Sequence, residues 1–72
     1  MNNLNVAKIQ LNGDPFEINI GTNLSDLLNK LKIKKNKVAI EVNGEIIEKN
    51  RYPKLILTKN DKVEIVHFIG GG

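Results

Sequence analysis

The chain has 72 residues, no cysteine and a single histidine, and its 11 basic and 8 acidic residues give a net charge of +3. This length suits one small domain, and the composition excludes disulfides, cysteine nucleophiles and Cys-based or His-rich metal sites. No apolar run approaches the roughly 20 residues of a membrane-spanning helix, and the polar start lacks the features of a signal peptide. We therefore expect a cytoplasmic protein that binds no membrane.

Two alternating segments near the N-terminus predict a β-hairpin with one apolar face. Alternation begins at residue 8, after a predicted frayed extension over residues 1–7. The apolar positions of the two strands are Ile9, Leu11, Phe16, Ile18 and Ile20. Residues 12–15, Asn-Gly-Asp-Pro, predict the turn between them, because Asn and Gly tolerate positive φ.

The period then changes to that of a helix. Four leucines at i, i+3, i+4 and i+7 form one stripe: Leu24, Leu27, Leu28 and Leu31. Thr22 is the predicted N-cap, and Asp26 lies near the positive end of the helix dipole. The lysine-rich stretch at residues 30–37 follows at the helix C-terminus, where cations are favoured. It contains no aromatic residue, so we expect no nucleic-acid binding.

Strand patterns return in the second half of the chain. Residues 38–42 alternate, and Asn43-Gly44 is a strong turn signal before a fourth strand at residues 45–48. The polar, Pro-containing segment that follows predicts a surface loop, which can include a 3₁₀ turn and which exposes Arg51 and Tyr52.

Three further elements complete the predicted order. Residues 55–57 predict a short strand, residues 58–61 a turn with Asn60 in the left-handed region, and residues 62–68 the last strand. One amphipathic helix can cover one face of a sheet. The predicted fold is therefore an α+β roll over residues 8–69, with a mixed four- to five-stranded sheet and one main helix across one face.

The parity of the last strand separates its two faces. If Val63 and Ile65 face the helix, then Val66 and Phe68 face the uncovered side of the sheet. With Ile69, these exposed apolar residues predict a surface where a partner docks. His67, at the strand end, is predicted to be a rim residue rather than a base or a metal ligand.

The chain closes on Gly70, Gly71 and Gly72, a predicted flexible tail. Glycine lacks Cβ, so this backbone can thread a channel too narrow for side chains. A terminal carboxylate with a pKa of about 3.5 is ionised at neutral pH and is a poor acyl donor. It becomes reactive when a partner joins it to the α-phosphate of ATP, after which a sulfur nucleophile can displace AMP and leave a thiocarboxylate.

These residues resemble the ThiS family of thiamine-biosynthesis sulfur carriers, within the β-grasp (ubiquitin-like) superfamily. The resemblance runs from about Lys8 to Gly72 and is carried by residues 10–13, 22–28, 38–47 and, most clearly, 61–72. Two features depart from it. Asn60-Asp61 stands where the family often has Gly-Asp, and the first several residues extend beyond the usual start.

The resemblance implies a role for each glycine of the tail. Gly72 would be adenylated by a ThiF-type enzyme that uses ATP with Mg²⁺, then converted to a thiocarboxylate by a persulfide relay fed from a cysteine desulfurase. Gly70 and Gly71 would give access to the partner's active site. The thiocarboxylate would supply sulfur to thiazole synthase, ThiG, and the carrier itself would bind no cofactor and contain no catalytic residue.

Two alternatives remain open from the sequence. One is another carrier of the same fold, such as the MoaD-like small subunit of molybdopterin synthase or a tRNA-thiolation carrier. The other is a β-grasp binding module without covalent chemistry, which could contact RNA through its lysines and would not need Gly71 or Gly72.

Overall fold

The computed structural model describes residues 5–69 of the chain. It contains a five-stranded sheet in the order β2-β1-β5-β3-β4 and one α-helix. The elements are β1 (Val6–Leu11), β2 (Asp14–Asn19), α1 (Leu24–Leu31), β3 (Val38–Val42), β4 (Glu45–Ile46) and β5 (Lys62–His67), with 3₁₀ turns at Lys35–Lys37 and Lys49–Arg51. The predicted α+β roll with a mixed sheet, the β-grasp arrangement, is confirmed. No helix in this part of the chain is long and apolar enough to cross a membrane.

The sheet is mixed because its central strand, β5, is parallel to one neighbour and antiparallel to the other. Strand β5 pairs in parallel with β1 on one side and antiparallel with β3 on the other. The parallel ladder is short, and Asn12 extends it, because its Oδ1 accepts a hydrogen bond of 2.7 Å from the Ile65 backbone N–H. The last strand is therefore an interior strand of the sheet.

Both predicted Asn-Gly turns are confirmed. Asn12 and Gly13 have φ values of 50° and 87°, and Asn43 and Gly44 have values of 53° and 85°. Two consecutive residues with positive φ match the twist of a tight hairpin. Asn60 also adopts the predicted left-handed conformation, with φ at 72°.

Helix α1 packs its leucine stripe against the sheet, but its cap differs from the prediction. The N-cap is Asn23 rather than Thr22, because Asn23 and Asp26 form a reciprocal capping box. The Asn23 Oδ1 accepts from the Asp26 backbone N–H at 2.7 Å. The Thr22 hydroxyl instead donates to the Asn19 carbonyl at 2.6 Å.

The core lies between α1 and the inner face of the sheet. Its buried residues are Ile9, Ile18, Leu24, Leu27, Leu28, Val38, Ile40, Val42, Ile47, Tyr52, Leu57, Val63 and Ile65. The prediction that Tyr52 is exposed was wrong, since only 1% of its surface is accessible. The 3₁₀ turn at Lys49–Arg51 reverses the chain and directs the Tyr52 ring inward, whereas Arg51 is exposed as predicted.

Several predicted strand boundaries were also wrong. Strand β2 begins at Asp14, inside the turn predicted over residues 12–15, and β5 ends at His67, one residue before its predicted end. Residues 55–57 form a single bridge, Ile56 to Asn23, instead of a strand, because their backbone pairs with the segment before α1 rather than with the sheet. Strand β4 has two residues rather than four. Strand β1 begins at Val6, two residues before the predicted start, because the hairpin register pairs Val6 with Asn19. Residues 6 and 7 thus belong to the sheet, and residues 1–4 lie outside the described part.

Candidate functional site

The predicted site of modification, Gly72, and the predicted tail residues Gly70 and Gly71 lie outside the described residues. What the structure does describe is the segment that leads to them. Strand β5 ends at His67, and the Phe68 backbone N–H still donates to the Lys37 carbonyl at 2.9 Å. The chain is therefore held by backbone hydrogen bonds until two residues before the glycines.

The two faces of β5 differ as its parity predicted. Val63 and Ile65 are buried on the inner face, the face that α1 covers. Val66 lies on the opposite, outer face and is 61% exposed, and Phe68 is 53% exposed. The exposure predicted for these residues is confirmed, and Ile69, fully exposed, extends the apolar surface toward the tail.

A fourth apolar residue, Ile46, joins this surface. It pairs with Glu41 across the β3–β4 hairpin, so both side chains lie on the outer face. Ile46 is 69% exposed, and a shallow hollow of about 200 Å³ lies between it and Val66. We call Ile46, Val66, Phe68 and Ile69 the outer patch. The sequence signal for Ile46 was the two-residue Asn43-Gly44 turn, which fixes the register of this hairpin.

Lys49 anchors the base of the tail, and sequence reasoning missed it. Its ammonium donates a hydrogen bond of 2.9 Å to the Val38 carbonyl. The same nitrogen lies 5.4 Å from the centre of the Phe68 ring and 6.0 Å from that of Tyr52, within the range of cation–π attraction. Lys49 thus ties the loop after β4 to the end of β5, and it restrains the ring of an outer-patch residue.

Tyr52 supports this arrangement from the core. Its hydroxyl oxygen is buried and has no hydrogen-bond partner among residues 5–69. Burial raises the pKa of Tyr52, and the nearby Ile40 backbone, whose contact falls short of hydrogen-bond geometry, offsets this only in part. The phenol is therefore neutral at physiological pH, and its role is packing rather than nucleophilic chemistry.

Residues 5–69 show no cluster of three or more His, Cys, Asp or Glu side chains that could hold a metal ion. His67 is exposed at the end of β5, which agrees with the predicted rim position. Arg51 lies 3.7 Å from Glu45 in an ion pair between exposed side chains, which contributes little to stability. The most distinctive feature of residues 5–69 is therefore the outer patch, an apolar surface that ends directly before the three glycines.

Comparison with known proteins identifies relatives of nearly the whole chain. The sequence model of the ThiS family matches residues 9–72. The chain is 42% identical over 66 residues to the sulfur carrier protein ThiS of Bacillus subtilis, covering 89% of this chain and 98% of that protein. The crystal structure of the thiamine biosynthesis protein ThiS from Geobacter metallireducens superimposes with a TM-score of 0.78 at 31% identity, over 90% of this chain and 99% of that one.

A longer protein contains a similar segment. The chain is 43% identical over 65 residues to a thiazole synthase of Magnetococcus marinus. The match covers 90% of this chain but spans only 20% of the length of that synthase. A segment similar to this chain thus occurs within a thiazole synthase polypeptide.

Proposed function

The chain belongs to the ThiS family of sulfur carrier proteins of thiamine biosynthesis, and from this membership we propose that it carries sulfur as a thiocarboxylate on Gly72. The observation that carries the proposal is the extent of the family match, which continues through Gly70, Gly71 and Gly72 to the end of the sequence. A match confined to the sheet and helix would support only the fold.

The proposed chemistry begins with activation of the Gly72 carboxylate. One carboxylate oxygen attacks the α-phosphorus of ATP, pyrophosphate leaves, and an acyl-adenylate forms. A persulfide then attacks the carbonyl carbon and AMP leaves with the former carboxylate oxygen. A thiol cleaves the S–S bond of the resulting acyl disulfide, which leaves the thiocarboxylate on the carrier and a disulfide on the donor side. A ThiF-type enzyme with Mg²⁺ would supply the first step, and a relay from a cysteine desulfurase would supply the persulfide.

Glycine suits this tail because the reacting carbon must enter an enclosed nucleotide site. A chain without Cβ atoms presents only backbone width there. The three residues after Ile69 can span at most about 11 Å even when fully extended. Any enzyme that reacts at Gly72 must therefore approach Ile69 closely, and this brings it against the outer patch. This short reach supports the proposed docking role of Val66, Phe68 and Ile69.

Thiazole synthase is the acceptor that we propose. The similarity of this chain to a segment of the Magnetococcus marinus thiazole synthase supports a functional link between carrier and synthase. In this proposal the thiocarboxylate sulfur of Gly72 becomes the sulfur of the thiazole ring. The outer patch would then serve two successive partners, first the adenylating enzyme and then the synthase.

Intact-mass spectrometry tests this function directly. The protein is co-expressed with a ThiF-type enzyme and its sulfur source, and replacement of one oxygen by sulfur at Gly72 should add about 16 Da. A variant that lacks residues 71 and 72 is the control and should gain nothing. The modified protein should lose its sulfur to thiazole synthase but not to the large subunit of molybdopterin synthase. An unchanged mass, under conditions that modify the Bacillus subtilis carrier, would refute the proposal.

A further inference from the structure

Two carboxylates face each other on the outer face of the sheet. Glu41 of β3 and Glu64 of β5 are direct cross-strand partners. The Cβ atoms of such partners lie about 5 Å apart, and like charges in this position destabilise a sheet. Elsewhere on the same face the register is favourable, because Lys8 of β1 pairs with Glu17 of β2.

The repulsion between these two side chains is not relieved within the described part of the chain. Among residues 5–69, neither Glu41 nor Glu64 takes part in an ion pair, and neither carboxylate accepts a hydrogen bond. This arrangement occurs on a chain whose net charge is +3. The acidic pair therefore stands open to a cation from outside, since Lys62, on the same face two residues before Glu64, forms no ion pair with it.

Apolar side chains frame the acidic pair. The hollow of about 200 Å³ is lined by both glutamates together with Ala39, Ile46 and Val66. Two carboxylates beside apolar walls offer too few oxygen ligands for Ca²⁺ or Mg²⁺. They suit a cation with several donors and an apolar stem. An arginine side chain meets both requirements, because its planar guanidinium can donate to two carboxylates at once while its methylene groups cover apolar surface.

We propose that the outer face binds an arginine of the adenylating enzyme, with the guanidinium between Glu41 and Glu64 and the arginine stem against Ile46 and Val66. This inference rests on the proposed function and specifies how the partner is recognised. The repulsion in the free carrier is relieved on docking, so the pair favours the complex over the free chain. The same contact fixes the end of β5 relative to the partner, because Phe68 lies four residues, about 13 Å along an extended strand, beyond Glu64.

The experiment compares Glu41→Gln, Glu64→Gln and the double variant with a matched control, Glu17→Gln, which lies on the same face and already has a lysine opposite. Binding to the purified ThiF-type enzyme is measured by titration at low and high salt. We expect each test variant to raise Kd about tenfold or more, the effect of removing one charge of an interfacial pair. The control should stay within about twofold of the wild type, and the salt dependence should flatten in the double variant.

Unfolding measurements separate recognition from folding. Each test variant should unfold at the same temperature as the wild type or higher, because neutralising one carboxylate removes the repulsion. An unchanged Kd for the double variant would overturn the inference, as would a fall in Kd. Mass spectrometry of the wild-type protein distinguishes the two claims. A wild type that gains about 16 Da while the variants bind normally keeps the carrier function and refutes the arginine contact. A wild type that neither binds the enzyme nor gains mass refutes both.

Discussion

Replacing Lys49 with methionine tests how the base of the tail is held. Methionine keeps the length and apolar stem of the side chain but removes the ammonium that bonds the Val38 carbonyl at 2.9 Å and lies 5.4 Å from the Phe68 ring. A hydrogen bond contributes about 1 kcal/mol, and each cation–π contact at a partly exposed site contributes about 0.5 kcal/mol. Water can replace part of this at the half-buried Lys49. We therefore expect a loss of about 1 kcal/mol in the free energy of unfolding.

A loss of this size lowers the midpoint of thermal unfolding by about 4–8 °C in a domain of 60–100 residues. Circular dichroism melting measures it, and Lys54→Met, an exposed lysine of the same loop, is the control for lost charge. In addition, the chemical shifts of the Phe68 ring protons should move toward random-coil values. KM for the adenylating enzyme should rise by a larger factor than that by which kcat falls. Equal melting of the two variants with unchanged Phe68 resonances would refute the assignment of Lys49 as an anchor.

Three other positions give shorter tests. Tyr52→Phe removes a buried hydroxyl without a partner, so urea unfolding should show a gain of about 1 kcal/mol; a loss of that size would mean that the Ile40 backbone bonds the hydroxyl. Burial raises the pKa of Tyr52, so ionisation of the phenol favours the unfolded state. The free energy of unfolding of the wild type is therefore at its full value below the unfolded pKa of about 10 and falls as pH rises through the folded value. Between about pH 9 and pH 12, Tyr52→Phe should therefore lose less stability than the wild type does. Identical pH profiles of the two proteins would contradict this. Phe68→Ala should weaken adenylation while the melting curve stays closer to that of the wild type than that of Lys49→Met does, because only one cation–π contact is lost and the Lys49–Val38 hydrogen bond remains; unchanged partner affinity would remove Phe68 from the docking surface. Leu27→Ala should cost about 2–5 kcal/mol, because this side chain is fully buried, and chemical denaturation with a loss below about 1 kcal/mol would contradict its central packing.

Local chemistry made the hairpins, the helix and the face of the last strand predictable. Asn-Gly turns need only two residues with positive φ, and the leucine stripe needs only one helix period. The exposure of Val66 and Phe68 followed from strict alternation along a single strand. The identity of the N-cap was harder to predict, because Thr22 and Asn23 are adjacent and both are good caps. The choice depended on Asp26 completing the box with Asn23.

The features that sequence reasoning missed arise from pairings between distant segments. Lys49 reaches the Val38 carbonyl only because β4 ends after two residues and leaves that edge of β3 open. Tyr52 is buried because a 3₁₀ turn redirects a polar loop that reads as exposed. Glu41 and Glu64 become neighbours through the β3–β5 register, which joins residues 23 positions apart in the sequence. No local pattern encodes such a contact.

The interior position of β5 has a consequence for how the chain opens. Terminal strands at a sheet edge can detach while the rest of a domain stays folded, but β5 is hydrogen-bonded on both sides, to β1 and to β3. Separating it would break the sheet in two and expose Val63 and Ile65. Amide hydrogen exchange over Lys62–Ile65, the part of β5 that is bonded on both sides, should therefore require global rather than sub-global opening, and its protection should equal that of the slowest core amides. Proteases that cut after local fraying should accordingly find no cleavage site within Lys62–Ile65 until the whole domain unfolds.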